Sequence, residues 1–197
     1  MIQKMEDPKS SFIRFYKNFA PLGTREEQNL MDRLDLEVVK RGECYLGQGK
    51  VCRKVGFIAN GVMRYCNLKD DGSVVTCYFI AENEFAFDAE SFDSGRPSTL
   101  MIEALTDCLV VSIGKDNEQW LKQNLPRYTE ASNRMGQEFM VKLINQRQFL
   151  LNQDAKSRYL YFLKAYPAIL QRAPLGAVAS FLGITQQSLS RLRSQLG

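Results

Sequence analysis

The sequence contains no histidine, and this absence excludes several kinds of site. Zinc sites that use histidine, Ser-His-Asp triads and Cys-His catalytic pairs all need an imidazole ring. The acids Asp88 and Glu90 could support acid–base chemistry in principle, but two acids on one loop more often cap or solvate it. We therefore expect no metal site and no enzymatic activity.

Closely spaced cysteine pairs are also missing. The five cysteines are separated by 8, 14, 11 and 31 positions, so no CxxC pair exists for a zinc ribbon or an iron–sulfur cluster. An odd number of irregularly spaced cysteines in a chain of 197 residues is typical of reduced, mostly buried thiols. These thiols predict a cytoplasmic protein.

Long apolar runs are absent as well. The first ten residues, MIQKMEDPKS, have no apolar signal-peptide core, and no run approaches the roughly 18 apolar residues of a membrane span. Hydrophobic residues make up 45% and charged residues 24%, close to the average for globular proteins. We expect a folded chain without a membrane partner.

Acidic residues are scarce in the last third of the chain. Residues 1–121 carry 15 basic and 19 acidic side chains, a net charge of −4, whereas residues 122–197 carry 11 basic and 3 acidic ones, a net charge of +8. A solvated charged surface is the simplest interpretation, but this asymmetry favours a polyanion partner. Nucleic acid is the usual polyanion.

Between residues 36 and 113 the sequence has the pattern of short strands. Apolar β-prone runs alternate with turn signals every 8–12 residues, which predicts a compact antiparallel barrel or roll. The pairs Asn60-Gly61 and Asp71-Gly72 indicate hairpins. Before this region, helical patterns cover 11–19 and the residues after Thr24, where Thr24 to Glu27 forms a capping-box motif.

After Trp120 the pattern is helical again. Residues 127–152 predict one long helix, in which an apolar stripe recurs every four residues, namely Ala131, Met135, Phe139 and Leu143. Met140, Ile144, Phe149 and Leu151 lie off that stripe, so more than one face must be buried. We assign the stripe to a dimer contact; the alternative is a helix buried within a monomer. A further helix is expected over 154–170.

Residues 174–196 carry the functional signal. A helix-turn-helix needs a small residue where its helices cross and a residue that tolerates positive φ in the turn, and Ala179 and Gly183 supply them. Apolar residues fall in register between the helices, and Thr185 is a suitable N-cap for the second helix. The polar face of that helix would then read DNA, through Thr185, Gln186, Gln187, Ser188, Ser190, Arg191 and Arg193.

This order of a roll, a long helix and a helix-turn-helix resembles the CRP/FNR family of bacterial transcription regulators. The resemblance rests on residues 41–66, 82–92, 102–113 and the helix-turn-helix. It implies an α+β fold: an N-terminal antiparallel β-roll like a cyclic-nucleotide-binding jelly roll (1–126), a long dimerisation helix (127–152) and a C-terminal helix-turn-helix (153–197). It also implies a homodimer on two-fold symmetric double-stranded DNA and a small-molecule effector.

The ligand residues of the family do not carry over. Cyclic-nucleotide binders use a Gly-Glu pair for the ribose and an Arg with a small hydroxyl residue for the phosphate. Alignment places Phe87-Asp88 and Ser98-Thr99 at these positions, so the charge that would hold the phosphate is missing. Arg96 is two residues out of register. We expect an effector pocket near these four residues but no tight binding of cyclic AMP.

This sequence also lacks the residues with which other branches of the family hold an iron–sulfur cluster or haem. No cysteine precedes Cys44 for an iron–sulfur cluster, and no histidine exists for haem, so the cofactor stays unknown. Sensing by cysteine is an alternative, although strands more often bury cysteine as a small apolar residue. The family commonly has a β-wing after the recognition helix, but this sequence ends at Leu196-Gly197, so we expect no wing contacts.

We therefore predict a sequence-specific DNA-binding regulator. RNA polymerase would be a further partner of an activator, and the sequence marks no surface for it. The alternative is a cupin-like ligand-binding or enzymatic roll whose C-terminal helices serve assembly. Cupin enzymes generally hold their metal with histidines, which this chain lacks.

Overall fold

A computed structural model describes residues 7–196. Within them, α1 (Pro8–Lys17) and α2 (Thr24–Met31) precede a β-roll. The roll contains one short helix, α3 (Ala89–Ser94), and six helices follow it: α4 (Lys115–Asn124), α5 (Pro126–Asn152), α6 (Ala155–Ala165), α7 (Pro167–Arg172), α8 (Leu175–Phe181) and α9 (Gln186–Leu196).

The roll consists of two antiparallel four-stranded sheets. Sheet A has the order β1 (Asp35–Val39), β8 (Cys108–Gly114), β3 (Lys54–Asn60), β6 (Phe85–Ala86). Sheet B has the order β2 (Cys44–Leu46), β7 (Met101–Ala104), β4 (Met63–Leu68), β5 (Val74–Ile80). Side chains from both sheets, such as Ile58 of sheet A and Met63 of sheet B, share one buried cluster. The predicted α+β fold with a roll and flanking helices is confirmed.

One of the two predicted hairpins is wrong. Asp71-Gly72 does join β4 to β5, which pair from Leu68 and Val74 onward. Asn60-Gly61 instead connects β3 of sheet A with β4 of sheet B. Gly61 has φ +112°, and a Cβ there would lie 2.5 Å from Cys108 Sγ. The glycine therefore serves a crowded corner between sheets and not a hairpin.

Two helix boundaries also differ from the sequence predictions. The cap of α2 is Gly23, whose amide donates to Glu26 Oε2 at 2.8 Å, so the capping motif lies one residue before the predicted Thr24–Glu27. The predicted helix over 154–170 is divided into α6 and α7 at Tyr166 (φ −133°, ψ 47°). Pro167 disfavours helical geometry in the residue before it, which explains the break.

Helix α5 starts one residue before the predicted range 127–152 and covers the roll. Tyr128 and Ala131 are buried in a cluster that α1, α2 and α4 form with the outer face of sheet A. The C-terminal helices α6–α9 form a third cluster together with Val62, Phe79 and Leu105 of the roll. The predicted first and last domains also include residues 1–6 and 197, which lie outside the described residues.

Candidate nucleic-acid interface

The tight turn between α8 and α9 has the geometry that the sequence predicts for a helix-turn-helix. Gly183 has φ +67°, a backbone conformation that residues other than glycine rarely adopt. Ala179 is 2% exposed, and its carbonyl accepts the Ile184 amide at 3.0 Å. Val178, Leu182 and Leu189 are fully buried between the helices. The apolar side of α9 is therefore fixed by α8.

The N-terminus of α9 is capped as expected. Thr185 Oγ1 accepts the Ser188 amide at 3.1 Å, and the two hydroxyl oxygens are 2.9 Å apart. Ser188 is half-buried, and its hydroxyl contacts the capping residue. Thr185 is exposed beside it, together with the other predicted reading residues, namely Gln186, Gln187, Ser190, Arg191 and Arg193.

The exposed residues of α9 divide into a central face and two flanks. At 100° per residue, Gln187 and Arg191 lie opposite the buried Leu189. Gln186, Ser190 and Arg193 lie to the side. Ser194, which the sequence analysis missed, also falls on the central face, and its hydroxyl donates to the Ser190 carbonyl at 3.1 Å. Counting positions from Leu189 would have found it.

The cations of α9 have no partner in the part of the chain that the structure describes. Neither Arg191 nor Arg193 makes an ion pair or a hydrogen bond there. The only acidic residues after position 121 are Glu130, Glu138 and Asp154, and none of them lies in α9. Two unpaired guanidinium groups on an acid-free helix can donate to phosphate or base acceptors.

The helix-turn-helix is held against sheet B of its own roll. Phe79 of β5 lies 5.3 Å from Phe181 of α8 and 5.7 Å from Phe162 of α6, ring centre to ring centre. The Thr76 amide donates to Ser180 Oγ at 3.0 Å. This contact buries α8 and fixes where α9 stands relative to the roll.

A charged pair reinforces this contact. Both terminal nitrogens of Arg172 in α7 donate to Glu82, at 2.5 and 2.8 Å, and Glu82 also accepts the Gly61 amide at 2.8 Å. Burial raises the pKa of Glu82, but the hydrogen bonds from Arg172 and Gly61 outweigh it and leave the pKa below its ordinary value. The carboxylate is therefore charged at neutral pH.

The four predicted effector residues differ in their exposure and in their hydrogen-bond partners. Ser98 is 3% exposed and its hydroxyl donates to Asp88 Oδ2 at 2.5 Å, while Asp88 Oδ1 accepts the Ser91 amide at 3.2 Å. Phe87 is half-buried. The Tyr65 hydroxyl donates to the Phe87 carbonyl at 2.8 Å and accepts the Phe87 amide at 3.1 Å. Thr99 is exposed.

Arg96 cannot serve this region as a free cation. It is exposed, and its guanidinium donates to Glu90 Oε1 of α3 at 2.8 Å. Asp88 and Ser98 bond each other, so the polar side chains of these two predicted effector residues are satisfied from within the chain.

The stripe of α5 that was assigned to a dimer contact (Ala131, Met135, Phe139, Leu143) makes contacts within its own chain. Ala131 is 0% exposed, Met135 and Leu143 are half-buried, and the Phe139 ring lies 5.6 Å from Tyr78 but stays 36% exposed. A fully buried alanine has no surface to offer a second subunit. The more exposed apolar residues lie on the other face, namely Met140, Val141, Ile144 and Leu151, which are 57, 57, 50 and 73% exposed.

The cysteines are all free, and Cys52, Cys66 and Cys108 are buried. Burial raises the pKa of each thiol, that of Cys66 to about 11, so they are protonated at neutral pH. Among residues 7–196 no group of three or more cysteine and carboxylate side chains is placed to hold a metal ion. None of the helices described is both long and apolar enough to span a membrane.

Comparison with solved structures identifies the fold. FixK2 from Bradyrhizobium japonicum matches with a TM-score of 0.71 and 17% identity, over 83% of this chain and 84% of that one. A protein described as a transcriptional regulator of the crp/fnr family from Eubacterium rectale matches with a TM-score of 0.70 and 16% identity, over 92% and 87%.

The c-di-GMP responsive global regulator CLP from Xanthomonas campestris matches with a TM-score of 0.69 and 15% identity, over 88% of this chain and 91% of that one. No protein-family model matches the sequence, and no curated protein does. At these identities the likeness shows the fold, and the predicted resemblance to CRP/FNR regulators is confirmed at that level.

Proposed function

We propose that this chain, which has the fold of the CRP/FNR regulators, is a dimeric DNA-binding transcription regulator that places α9 in the major groove. The observation that carries the proposal is the exposed, unpaired polar face of α9 on a helix-turn-helix with a buried apolar side. It is a binding role and not an enzymatic one. Chromosomal DNA as the partner would put the protein in the cytoplasm.

The residues of the central face suit base edges. Glutamine can bond adenine through both of its amide groups, and arginine can bond guanine with two donors, each pair being worth about 1–3 kcal/mol of discrimination. We assign these roles to Gln187 and Arg191. Gln186, Ser190 and Arg193 are placed for phosphate contacts beside them, while Thr185 and Ser188 hold the start of the helix.

A dimer would present two such helices to one duplex. The exposed apolar stripe of Met140, Val141, Ile144 and Leu151 lies on one face of α5 and can pair with the same stripe of a second copy. A two-fold dimer matches half-sites separated by about 34–36 Å, one turn of DNA. An activator of this kind would also contact RNA polymerase.

We do not propose cyclic AMP as the effector. Asp88 and Ser98 bond each other, and Arg96 pairs with Glu90, so these three side chains are not free to hold a cyclic phosphate. If Phe87, Asp88, Ser98 and Thr99 contribute to effector sensing, they do so for a different ligand. A cupin-like metal role would instead require stoichiometric bound metal in the purified protein.

The test is selection of preferred sequences from a library of randomised duplexes. The wild-type protein should enrich a two-fold symmetric motif. Arg191→Ala should relax the preference at one position in each half-site, by about 1–3 kcal/mol. The control is Arg53→Ala, which removes the same charge from an exposed position on the roll. Unchanged selectivity of Arg191→Ala, or no enrichment by the wild type, would overturn the assignment.

A further inference from the structure

A large cavity lies on the outer side of sheet A, away from the helix-turn-helix. It has a volume of about 560 Å³ and is bounded by α1, by β3, β6 and β8, and by α5. This is the size of a typical small-molecule site. Of the four residues that align with the nucleotide-binding positions of the family, only Phe87 borders it. The cavity is thus a separate place in the fold.

Aromatic rings form a large part of its walls. Phe15 of α1 lies 5.2 Å from Phe57 of β3 and 6.0 Å from Phe85 of β6, and Phe57 and Phe85 are 5.5 Å apart. On the opposite side, α5 contributes Phe139 and Gly136. A Cβ at Gly136 would meet no atom within 4 Å, so this glycine leaves the cavity open.

The charged groups around the cavity are mostly acidic. Four carboxylates line it, against two ammonium groups: Glu84, Asp93, Glu118 and Glu138, against Lys122 and Lys142. Lys122 is paired with Glu118 at 2.6 Å, and Lys142 is paired with Glu84. Lys115 lies nearby but donates to the backbone carbonyl of Asp93 at 3.1 Å.

Two acids of the lining therefore have no charged partner. Neither Asp93 nor Glu138 makes an ion pair among residues 7–196. Aromatic faces carry negative electrostatic potential, and unpaired carboxylates beside them add to it. The same surroundings would repel an anion of equal shape.

We propose that this cavity binds a lipophilic organic cation, one in which a delocalised or quaternary positive charge is carried on an apolar, ring-containing body. The apolar body would fill the space between Phe57, Phe85 and Phe139. The positive charge would face the aromatic walls and the two unpaired carboxylates. This site does not depend on DNA recognition, and its test measures binding alone.

Tetraphenylphosphonium and tetraphenylborate provide a direct test, because they have nearly the same shape and opposite charges. Calorimetry on the full-length protein should detect micromolar binding of the phosphonium, and the borate should bind at least about tenfold more weakly. Equal binding of both ions, stronger binding of the borate, or no binding of the phosphonium would overturn the proposal.

Two variants test whether the cation occupies this cavity. Gly136→Trp should fill the open space and abolish phosphonium binding, whereas Gly136→Ala, its control, should leave binding within about twofold, because a methyl group meets no neighbour there. Glu138→Gln, at an exposed position, should weaken phosphonium binding several-fold and reduce the difference in affinity between the phosphonium and the borate. The site would be contradicted if Gly136→Trp still bound the phosphonium. It would also be contradicted if Glu138→Gln left the difference in affinity between the phosphonium and the borate unchanged.

Discussion

The segment 87–99 and helix α9 both carry polar side chains at or near the surface, but they use them differently. In the segment, Asp88 bonds Ser98 and Arg96 bonds Glu90, so the polar groups are paired within the chain. On α9, Arg191 and Arg193 have no such partner in the described structure. The first arrangement stabilises a fold, and the second leaves donors available for another molecule.

This difference shows why residue type alone does not identify a binding surface. Asp88 and Ser98 were predicted to line an effector pocket, yet their partners are internal. The polar groups of α9 can stay free because α8 buries the opposite side of the helix. A binding face therefore needs a buried face behind it.

The largest expected effect comes from removing that buried side. Leu189 is fully buried, and Leu189→Ala should lower the free energy of unfolding by about 2–5 kcal/mol, because it removes apolar burial and leaves a cavity. Duplex binding should fall with it. Urea unfolding and a mobility-shift titration measure the two effects. The control, Gln195→Ala at an exposed position, should change stability by less than about 0.5 kcal/mol.

Breaking the hydrogen bond between Asp88 and Ser98 should affect stability alone, whereas Leu189→Ala affects both stability and duplex binding. Ser98→Ala leaves Asp88 Oδ2 without its donor and should lower the free energy of unfolding by about 1–3 kcal/mol. DNA selectivity should not change. Thr99→Ala, at the exposed neighbouring position, is the control and should alter neither stability nor DNA selectivity. Altered DNA selectivity at unchanged stability in Ser98→Ala would show that this segment has a different role.

The smallest expected effect is a change in how stability depends on pH in the acidic range. The pKa of Glu82 is lowered in the folded state, so Glu82 stabilises the fold at pH values above 4.5, the ordinary pKa of a glutamate. That contribution is lost as pH falls below 4.5 and through the folded pKa. Glu82→Gln should therefore flatten the loss of stability at low pH, measured by urea unfolding at a series of pH values. An identical acid dependence in the variant would mean that the pair with Arg172 does not hold α7 to the roll.

Much of the fold follows from patterns that are local in sequence. The strand runs, the Asp71-Gly72 hairpin, the long helix and the positive φ of Gly183 were all predictable, because each depends on neighbouring residues. The corner at Asn60-Gly61 was not, since the same dipeptide serves a hairpin or a crossing between sheets. The crossing is distinguished by the pairing of β3 and β4 in different sheets and by the packing of Gly61 against Cys108, which depend on residues distant in sequence.

The site could be predicted in part. The polar positions of α9 follow from helical spacing, and the structure places six of the seven named residues at the surface. The use of each face of α5 could not be read from the sequence, because both stripes are apolar. The burial of Ala131 and the contact of Phe139 with Tyr78 show which stripe faces the roll. The cavity beside α1 was missed, since its aromatic residues have the pattern of ordinary packing.

The most direct measurement of the central claim is a dimethyl sulfate footprint on a duplex selected by the wild-type protein. The reagent methylates guanine N7, which lies in the major groove. We expect protection of guanines in two half-sites one helical turn apart, and loss of protection at one guanine in each half-site with Arg191→Ala. Full reactivity of every guanine N7 in the bound duplex would show that α9 does not lie in the major groove.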